Sequence, residues 1–252
     1  METEGPGSFN LSYEYLFEQY STRTDSREKI ANSLVSQISH PHTLHFLDLG
    51  AGDGRLTRIL ASHFLCTTAV DKRSAFNERL TGIPGVEFVH SPIESLILEK
   101  PFDIGLFAYS LSGVSCESLN RAINSLFMQS SDVGRLFFLT YENGCSWDRY
   151  ADRVYRELGI ARNGGSDQHL RDLRSSGFEV RELDSIETLI WDTSISGLFD
   201  TLAFFFFSRA KTYIQRKEHF LRSLQEHARI SDNRGAELPV VEKLYEIIRS
   251  GR

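Results

Sequence analysis

Through the middle of the chain, short apolar runs alternate with longer stretches in which apolar residues recur at helical spacing. The runs LHFLDLG, CTTAVD, VEFVH, FDIGLFAYS and GRLFFLTYE, from Leu44 onward, predict strands. Between them, the spacing predicts helices near Leu56 to His63, Ser74 to Leu80, Glu117 to Met128 and Trp147 to Leu158. Strand and helix in alternation build a mostly parallel sheet with helices on both faces, so the expected class is α/β and Rossmann-like. Ahead of the sheet, two helical pieces lie between Leu11 and Ile38, with a polar break from Ser21 to Asp25 in which Asp25, or the following Ser26, can cap the second. Beyond Gly164 and Gly165, QHLRDLRSSG predicts a helix closed by Gly177, and FEVRELD a strand. From about Gly197 the pattern is mostly helical, in LFDTLAFFFFSRAK, YIQRKEHFLRSLQEHA and VVEKLYEIIRS. Leu202 to Phe207 fits a buried strand equally well, and the four phenylalanines from Phe204 are expected in the core.

Composition and charge narrow the function classes. The 252 residues, 40% of them hydrophobic, suffice for one sizeable core. Against 28 basic residues stand 34 acidic ones, for a formal net charge of -6 with neither sign collected in blocks. Nucleic-acid binding leaves a basic patch, so no nucleic acid is expected as partner. The opening METEGPGSFN has no apolar segment of a secretory signal, and no apolar run is long enough to span a bilayer. Cys66, Cys116 and Cys145 are odd in number and widely spaced, which suits a reducing compartment and neither a disulfide framework nor a zinc site. The expectation is a cytoplasmic monomer or homodimer without a metal or a membrane partner.

The chemistry concentrates in FLDLGAGDGRLTRIL. Gly50, Gly52 and Gly54 fall on alternate positions between the first strand and the first helix of the alternating region. Glycine there permits a sharp turn and a close approach of ligand to backbone, in the crevice where open α/β sheets hold cofactors. A dinucleotide fingerprint would read G-x-G-x-x-G; here position 55 is Arg, and Asp48 and Asp53 bring carboxylates to the turn. Carboxylates oppose a pyrophosphate and favour an ammonium or sulfonium. Asp71, ending the next strand, is placed to accept hydrogen bonds from a ribose diol, and Ser91, Ile93 and Glu94 after the third strand can surround an adenine. An adenosine-bearing, phosphate-free cofactor satisfies all of these, and S-adenosylmethionine is one. The bland alternative is a tight structural turn.

DLGAGDG resembles the glycine-rich first motif of the class I methyltransferases that use S-adenosylmethionine, and the likeness covers about Leu44 to Thr140. It implies that Gly50, Ala51, Gly52 and Gly54 pass the methionine part and that Asp71 holds the ribose, with Asp48 and Lys72 also among the cofactor-binding residues. It also implies that Ser91, Pro92, Ile93 and Glu94 flank the adenine, and that Phe107 and Ala108 lie beside the sulfonium. S-adenosylhomocysteine would be the product. FEQYSTRT, SWDRYADRVYREL, LRSSGFEVRELDSIET and LFDTLAFF further resemble segments of histamine N-methyltransferase and its relatives, whose N-terminal helices and inserted segments close over a small amine. The division this implies is an N-terminal helical cap over residues 1–40, a cofactor-binding domain over 41–190 and a mostly helical part over 191–252 completing the substrate pocket. Where that family carries an acidic residue to meet the amine this chain has Arg23, and its aromatic positions after the fourth strand are Ser112 and Gly113. The family's closing strand is not evident in the C-terminal sequence. Histamine is therefore not the expected substrate, and Arg23 could pair with a carboxylate or phosphate instead.

The expected reaction is methyl transfer to a small-molecule acceptor, at nitrogen by the family likeness. Oxygen acceptance is the enzymatic rival, and a non-catalytic protein that keeps the cofactor fold is the alternative of another class. A protein acceptor would show by co-purification. Candidate acceptor residues are Tyr20, Arg23, Tyr109, Glu142, Asn143 and Trp147. Tyr13, Tyr15, Phe17 and Tyr20 can form a lid or the packed face of a helix, Trp147 a wall or a buried anchor, and Glu142 and Asn143 an acceptor contact or a helix cap. His63, His90 and His169 are expected to be structural.

Overall fold

The structure is a computed structural model that describes residues 12–111, 114–160 and 166–249. In chain order its helices and strands are α1 (Tyr13–Ser21), α2 (Ser26–Ser36), β1 (His45–Leu49), α3 (Arg55–Ala61), β2 (Cys66–Asp71), α4 (Asn77–Thr81), β3 (Val86–His90), β4 (Phe102–Ala108), α5 (Cys116–Gln129) and β5 (Ser130–Tyr141). There follow α6 (Ser146–Leu158), α7 (Ser166–Ser175), β6 (Phe178–Asp192), α8 (Ile195–Leu202), α9 (Ala210–Gln215), α10 (Lys217–Gln225), β7 (Arg229–Ser231) and β8 (Gly235–Arg249). The strands form one sheet in the order β3-β2-β1-β4-β5-β8-β6, with β7 on β8. From β3 to β5 neighbours are parallel, and β8 enters antiparallel to β5.

The described residues group into two compact units. Among the described residues, one is built from 26–111, 114–142, 166–186 and 242–249, the other from 12–25, 143–160 and 187–241. In the first, the two-residue period of the strands feeds two apolar layers. Leu47, Phe107, Leu136 and Phe138 point to one layer, which Leu119, Ile123 and Leu126 of α5 and Leu170 and Leu173 of α7 complete. Phe46, Ile104, Leu106, Phe137 and Leu139 point to the other, with Ile30 and Leu34 of α2 and Leu60 of α3. Burial on both faces explains why these strands read in the sequence as continuous apolar runs.

The C-terminal expectation is corrected. VVEKLYEIIR, residues 240–249, lies in β8 rather than a helix, and β8 pairs with β5 through Leu244 on Leu139 and Tyr245 on Phe138. Val240, Leu244 and Ile247 recur at helical spacing, yet Leu244 belongs to one apolar layer while Tyr245 and Ile247 belong to the other. A segment buried on both sides loses the period that distinguishes strand from helix, and its Val, Ile and Tyr content favours the strand. The closing strand unseen in the sequence is this one.

In the other unit an aromatic core forms around Tyr213, stacked on Phe199 at 4.2 Å and on Phe220 at 5.5 Å between ring centroids. The Tyr150 and Tyr213 hydroxyls share a 2.7 Å hydrogen bond, and Tyr213 donates to the Phe199 carbonyl. Burial in this apolar core pushes the Tyr150 phenol well above its ordinary value. Glu157 of α6 gathers Arg153, Arg216 and His219. Leu202 to Phe207 is helical: Leu202 ends α8, and Ala203–Arg209 forms a 3-10 turn. Phe206 alone of the four phenylalanines is fully buried, with Phe204 and Phe205 half-buried and Phe207 exposed, so the run is core at one position only.

Candidate functional site

The carboxyl ends of β1, β2, β3, β4 and β5 lie at the same edge of the sheet, and most of the candidate cofactor residues follow these ends. The glycine turn leaves β1 with φ of +90° at Gly50, +56° at Gly52 and +77° at Gly54, values that side chains resist. A β-carbon on Gly50 would fall 2.2 Å from the Ser110 β-carbon, and one on Gly54 would fall 2.7 Å from Leu80 Cδ2 and 3.0 Å from Ile83 Cδ1. Packing against the Ser110 β-carbon thus already requires Gly50, while Gly54 meets only the movable tips of Leu80 and Ile83.

The turn spends its amides internally. Gly50 N and Ala51 N both donate to the Val70 carbonyl, Gly52 N to Asp71 Oδ2 at 2.9 Å, Gly54 N to the Ala51 carbonyl, and Arg55 N to Asp53 Oδ1. A pyrophosphate on a helix N-terminus needs such groups aimed at itself. Here the amides of Gly50, Ala51, Gly52 and Gly54 are engaged, and Asp48, Asp53 and Asp71 stand in or beside the turn.

Asp71 holds two backbone amides, Gly52 N on Oδ2 and Arg73 N on Oδ1 at 2.8 Å. Each carboxylate oxygen carries a second lone pair, so a diol can still be accepted. Asp48 is buried and accepts from the Thr57 hydroxyl at 2.6 Å, which fastens the first turn of α3 to β1. Burial, aided by repulsion from Asp71 and opposed by that hydrogen bond, pushes its pKa up to about 6. Asp53 pairs with Arg55 at 3.1 Å and so offsets its own charge.

The segment after β3 begins with Ser91, whose amide donates to the Asp71 carbonyl and whose hydroxyl donates to the Pro92 carbonyl. Ile93 is half-buried against the apolar layer, while Pro92 and Glu94 are exposed. Lys72 is also exposed, and its carbonyl meets His90 Nε2 at 3.0 Å. The Phe107 side chain is fully buried in the core, so only its main chain can face a ligand; Ala108 is half-buried.

After β4 the chain turns through Tyr109, a non-glycine residue at φ +56°. Its ring is 37% exposed and stacks on Tyr141, the last residue of β5, at 4.9 Å between centroids. Ser110 follows; its hydroxyl oxygen is buried and has no hydrogen-bond partner among the described residues. Neither Ser110 nor Tyr141 was expected from the sequence. The available signal was position alone, since both stand at or just past the end of an apolar run.

The remaining acceptor candidates divide between the two units. Glu142, beside Tyr141, pairs with Lys243 at 3.2 Å, and Lys243 pairs also with Glu182 at 2.6 Å. Asn143 is exposed. Tyr20 is buried, stacked on Phe204 at 5.3 Å, and Trp147 is buried against Phe205 at 4.2 Å. Arg23 donates through Nε to Asp192 at 2.7 Å and through a terminal nitrogen to the Gln19 carbonyl and side chain. It ties the end of α1 to the end of β6, where its backbone carbonyl also receives the Trp191 amide. Ser112 and Gly113 lie outside the described residues.

No family model and no curated protein matches the sequence. Solved structures do. The YcgJ protein of Bacillus subtilis superposes with a TM-score of 0.61 at 15% identity, over 88% of this chain and 98% of that one. N-methyltransferase NodS of Bradyrhizobium japonicum in complex with S-adenosyl-L-homocysteine gives 0.53 at 14% identity, over 95% and 98%. An S-adenosylmethionine-dependent methyltransferase of Thiobacillus denitrificans, also with S-adenosyl-L-homocysteine, gives 0.53 at 13% identity, over 98% and 100%. The chain has the class I methyltransferase fold. The glycine turn, Asp71 and the Tyr109–Ser110 corner lie at the carboxyl edge of the parallel strands. The antiparallel β8 is the fold's closing strand.

Proposed function

We propose that the chain is an S-adenosylmethionine-dependent methyltransferase acting on a small-molecule acceptor, with nitrogen the preferred methyl acceptor. The observation that carries this reading is the glycine turn, whose Gly50, Ala51, Gly52 and Gly54 amides are engaged within the protein while Asp48 and Asp71 stand beside it. Such a turn disfavours a pyrophosphate and suits a cationic adenosine cofactor. A further feature fits: an Asp71 carboxylate with lone pairs to spare.

Gly50, Ala51, Gly52 and Gly54 would hold the methionine part, Asp71 and Lys72 the ribose, and Ser91, Pro92, Ile93 and Glu94 the adenine. When bound, the cofactor supplies an electrophilic methyl group on a sulfonium and is left as S-adenosylhomocysteine. The protein's work is to align the acceptor lone pair with that methyl group and to exclude water, which can lower the barrier by about 7–11 kcal/mol. The exposed Tyr109 ring, backed by Tyr141, offers an aromatic face on which a cationic or planar acceptor can rest. An amine must react as the neutral base, so no protein base is demanded beyond loss of one proton to solvent.

The nitrogen preference rests on the likeness to histamine N-methyltransferase and its relatives. It gains from Arg23, whose engagement with Asp192 removes the residue that argued for an anionic acceptor. The test is transfer of isotope-labelled methyl from S-adenosylmethionine to a panel of small amines, amino acids, phenols and carboxylic acids, read by mass spectrometry. Labelled N-methyl product supports the reading. Label on oxygen alone would overturn the nitrogen preference, and cofactor binding without label in any panel would favour a non-catalytic protein.

A further inference from the structure

Burying a carboxylate calls for a counter-charge, and several in this chain have one. Glu237 pairs with Arg229 at 3.0 Å, Glu246 with Arg135 at 2.6 Å and Asp53 with Arg55 at 3.1 Å. Asp48 and Asp71 differ. Asp48 is 2% exposed and accepts the Thr57 hydroxyl; Asp71 is 9% exposed and accepts the Gly52 and Arg73 amides. Among the described residues no cation pairs with either. The elements around Asp48 bring it no fixed positive charge. α3 supplies Thr57, β4 sets Leu106 beside it, and α2 turns Ile30 and Leu34 to the same layer. β2 supplies Asp71, with His90 of β3 across from it, and Arg55 is taken by Asp53.

The two uncompensated carboxylates flank the glycine turn: Asp48 precedes it, and Asp71 holds the Gly52 amide. The reading above lays the methionine part of the cofactor, with its sulfonium, on that turn. Methyl transfer removes the positive charge, because the product is a neutral thioether with the same adenosine and amino-acid chain. Coulomb attraction across a poorly screened interior needs no contact, so a buried carboxylate can act on one ligand and not the other. We propose that Asp48 and Asp71, through their charge, make the turn hold the sulfonium cofactor in preference to the thioether product, and so favour exchange of product for fresh cofactor. The inference rests on the S-adenosylmethionine reading. It carries a pH dependence, since burial and repulsion from Asp71 push Asp48 up to about 6. Below that pH Asp48 is neutral and the preference is weaker; above it Asp48 is charged and the preference is full.

The test is calorimetric titration of wild type and Asp48→Asn with S-adenosylmethionine and S-adenosylhomocysteine at pH 5 and pH 8. The two ligands share their adenosine and amino-acid chain, and the two proteins share His90, so the ratio of affinities isolates the sulfonium and its change on substitution isolates Asp48. In wild type the preference for S-adenosylmethionine should grow about tenfold from pH 5 to pH 8, and in Asp48→Asn it should not vary with pH. A constant preference in wild type, or the same growth in the variant, would overturn the inference. Should the variant not fold, wild type at pH 6 in two buffers of different ionisation heat decides the matter. S-adenosylmethionine should then release protons that S-adenosylhomocysteine does not, and equal release for both would overturn the inference. If wild type binds neither ligand at either pH, the cofactor reading itself fails; if it binds both with a constant ratio, this inference fails alone.

Discussion

At the residue scale, Asp48 carries a definite pH signature. Its pKa is raised by burial, from the ordinary 3.8 to about 6, so the folded state holds the proton more tightly than the unfolded chain does. Its contribution to stability is therefore fully present below pH 3.8 and is lost as pH rises through about 6. Two units correspond to about 3 kcal/mol at neutral pH, as an order of magnitude. Asp48→Asn keeps an acceptor for Thr57 and removes the charge. The variant should melt above wild type at pH 8, with the gap closing toward pH 4; a gap that does not vary with pH would exclude a charged, buried Asp48. Arg23 and Asp192 make a second residue-scale claim. Their side chains are 32% and 12% exposed, so solvent screening limits the pair to about 0.5–1 kcal/mol. A double-mutant cycle of Arg23→Ala and Asp192→Ala by denaturant unfolding should return a coupling of that size, whereas additive losses would mean the two do not act together.

At the element scale, legibility in the sequence followed burial. β1 to β5 could be read because short apolar runs were bounded by turn residues and separated by one-sided helices, α5 for instance carrying Leu119, Ile123 and Leu126 on a single face. β8 could not, because burial on both faces erased the alternation that would have marked it. Position within the fold makes its prediction. As an interior strand between β5 and β6, β8 should show slow amide hydrogen exchange over residues 242–247, comparable to residues 136–141 of β5. Rapid exchange there, as in a fraying terminal segment, would contradict the pairing. Leu244→Ala, at a fully buried position facing Leu139, should cost about 2–5 kcal/mol. The glycine turn was legible in its residues and only partly in their reasons. Gly50 is needed to clear the Ser110 β-carbon whatever the turn binds, a demand that only the tertiary packing reveals.

At the scale of the whole molecule, the fold and the glycine turn were the parts written locally, since a strand-turn-helix with acidic strand ends spans few residues. The surroundings of the acceptor candidates were not, because they depend on partners far along the chain: Asp192 for Arg23, Phe204 for Tyr20, Phe205 for Trp147 and Lys243 for Glu142. Among the described residues no helix is long and apolar enough to cross a membrane. A ligand that binds only the folded chain raises its stability by about 2.7 kcal/mol at a hundred times its dissociation constant, so cofactor choice can be read without knowing the acceptor. The most direct measurement is calorimetric titration of the purified chain with S-adenosylhomocysteine and with NAD, beside Asp71→Ala. Saturable binding of S-adenosylhomocysteine, absent for NAD and lost or much weakened in the variant, is the result expected from a turn with engaged amides and acidic neighbours. Binding of NAD alone, or of neither, would contradict it and leave the glycines as a packing requirement of the fold.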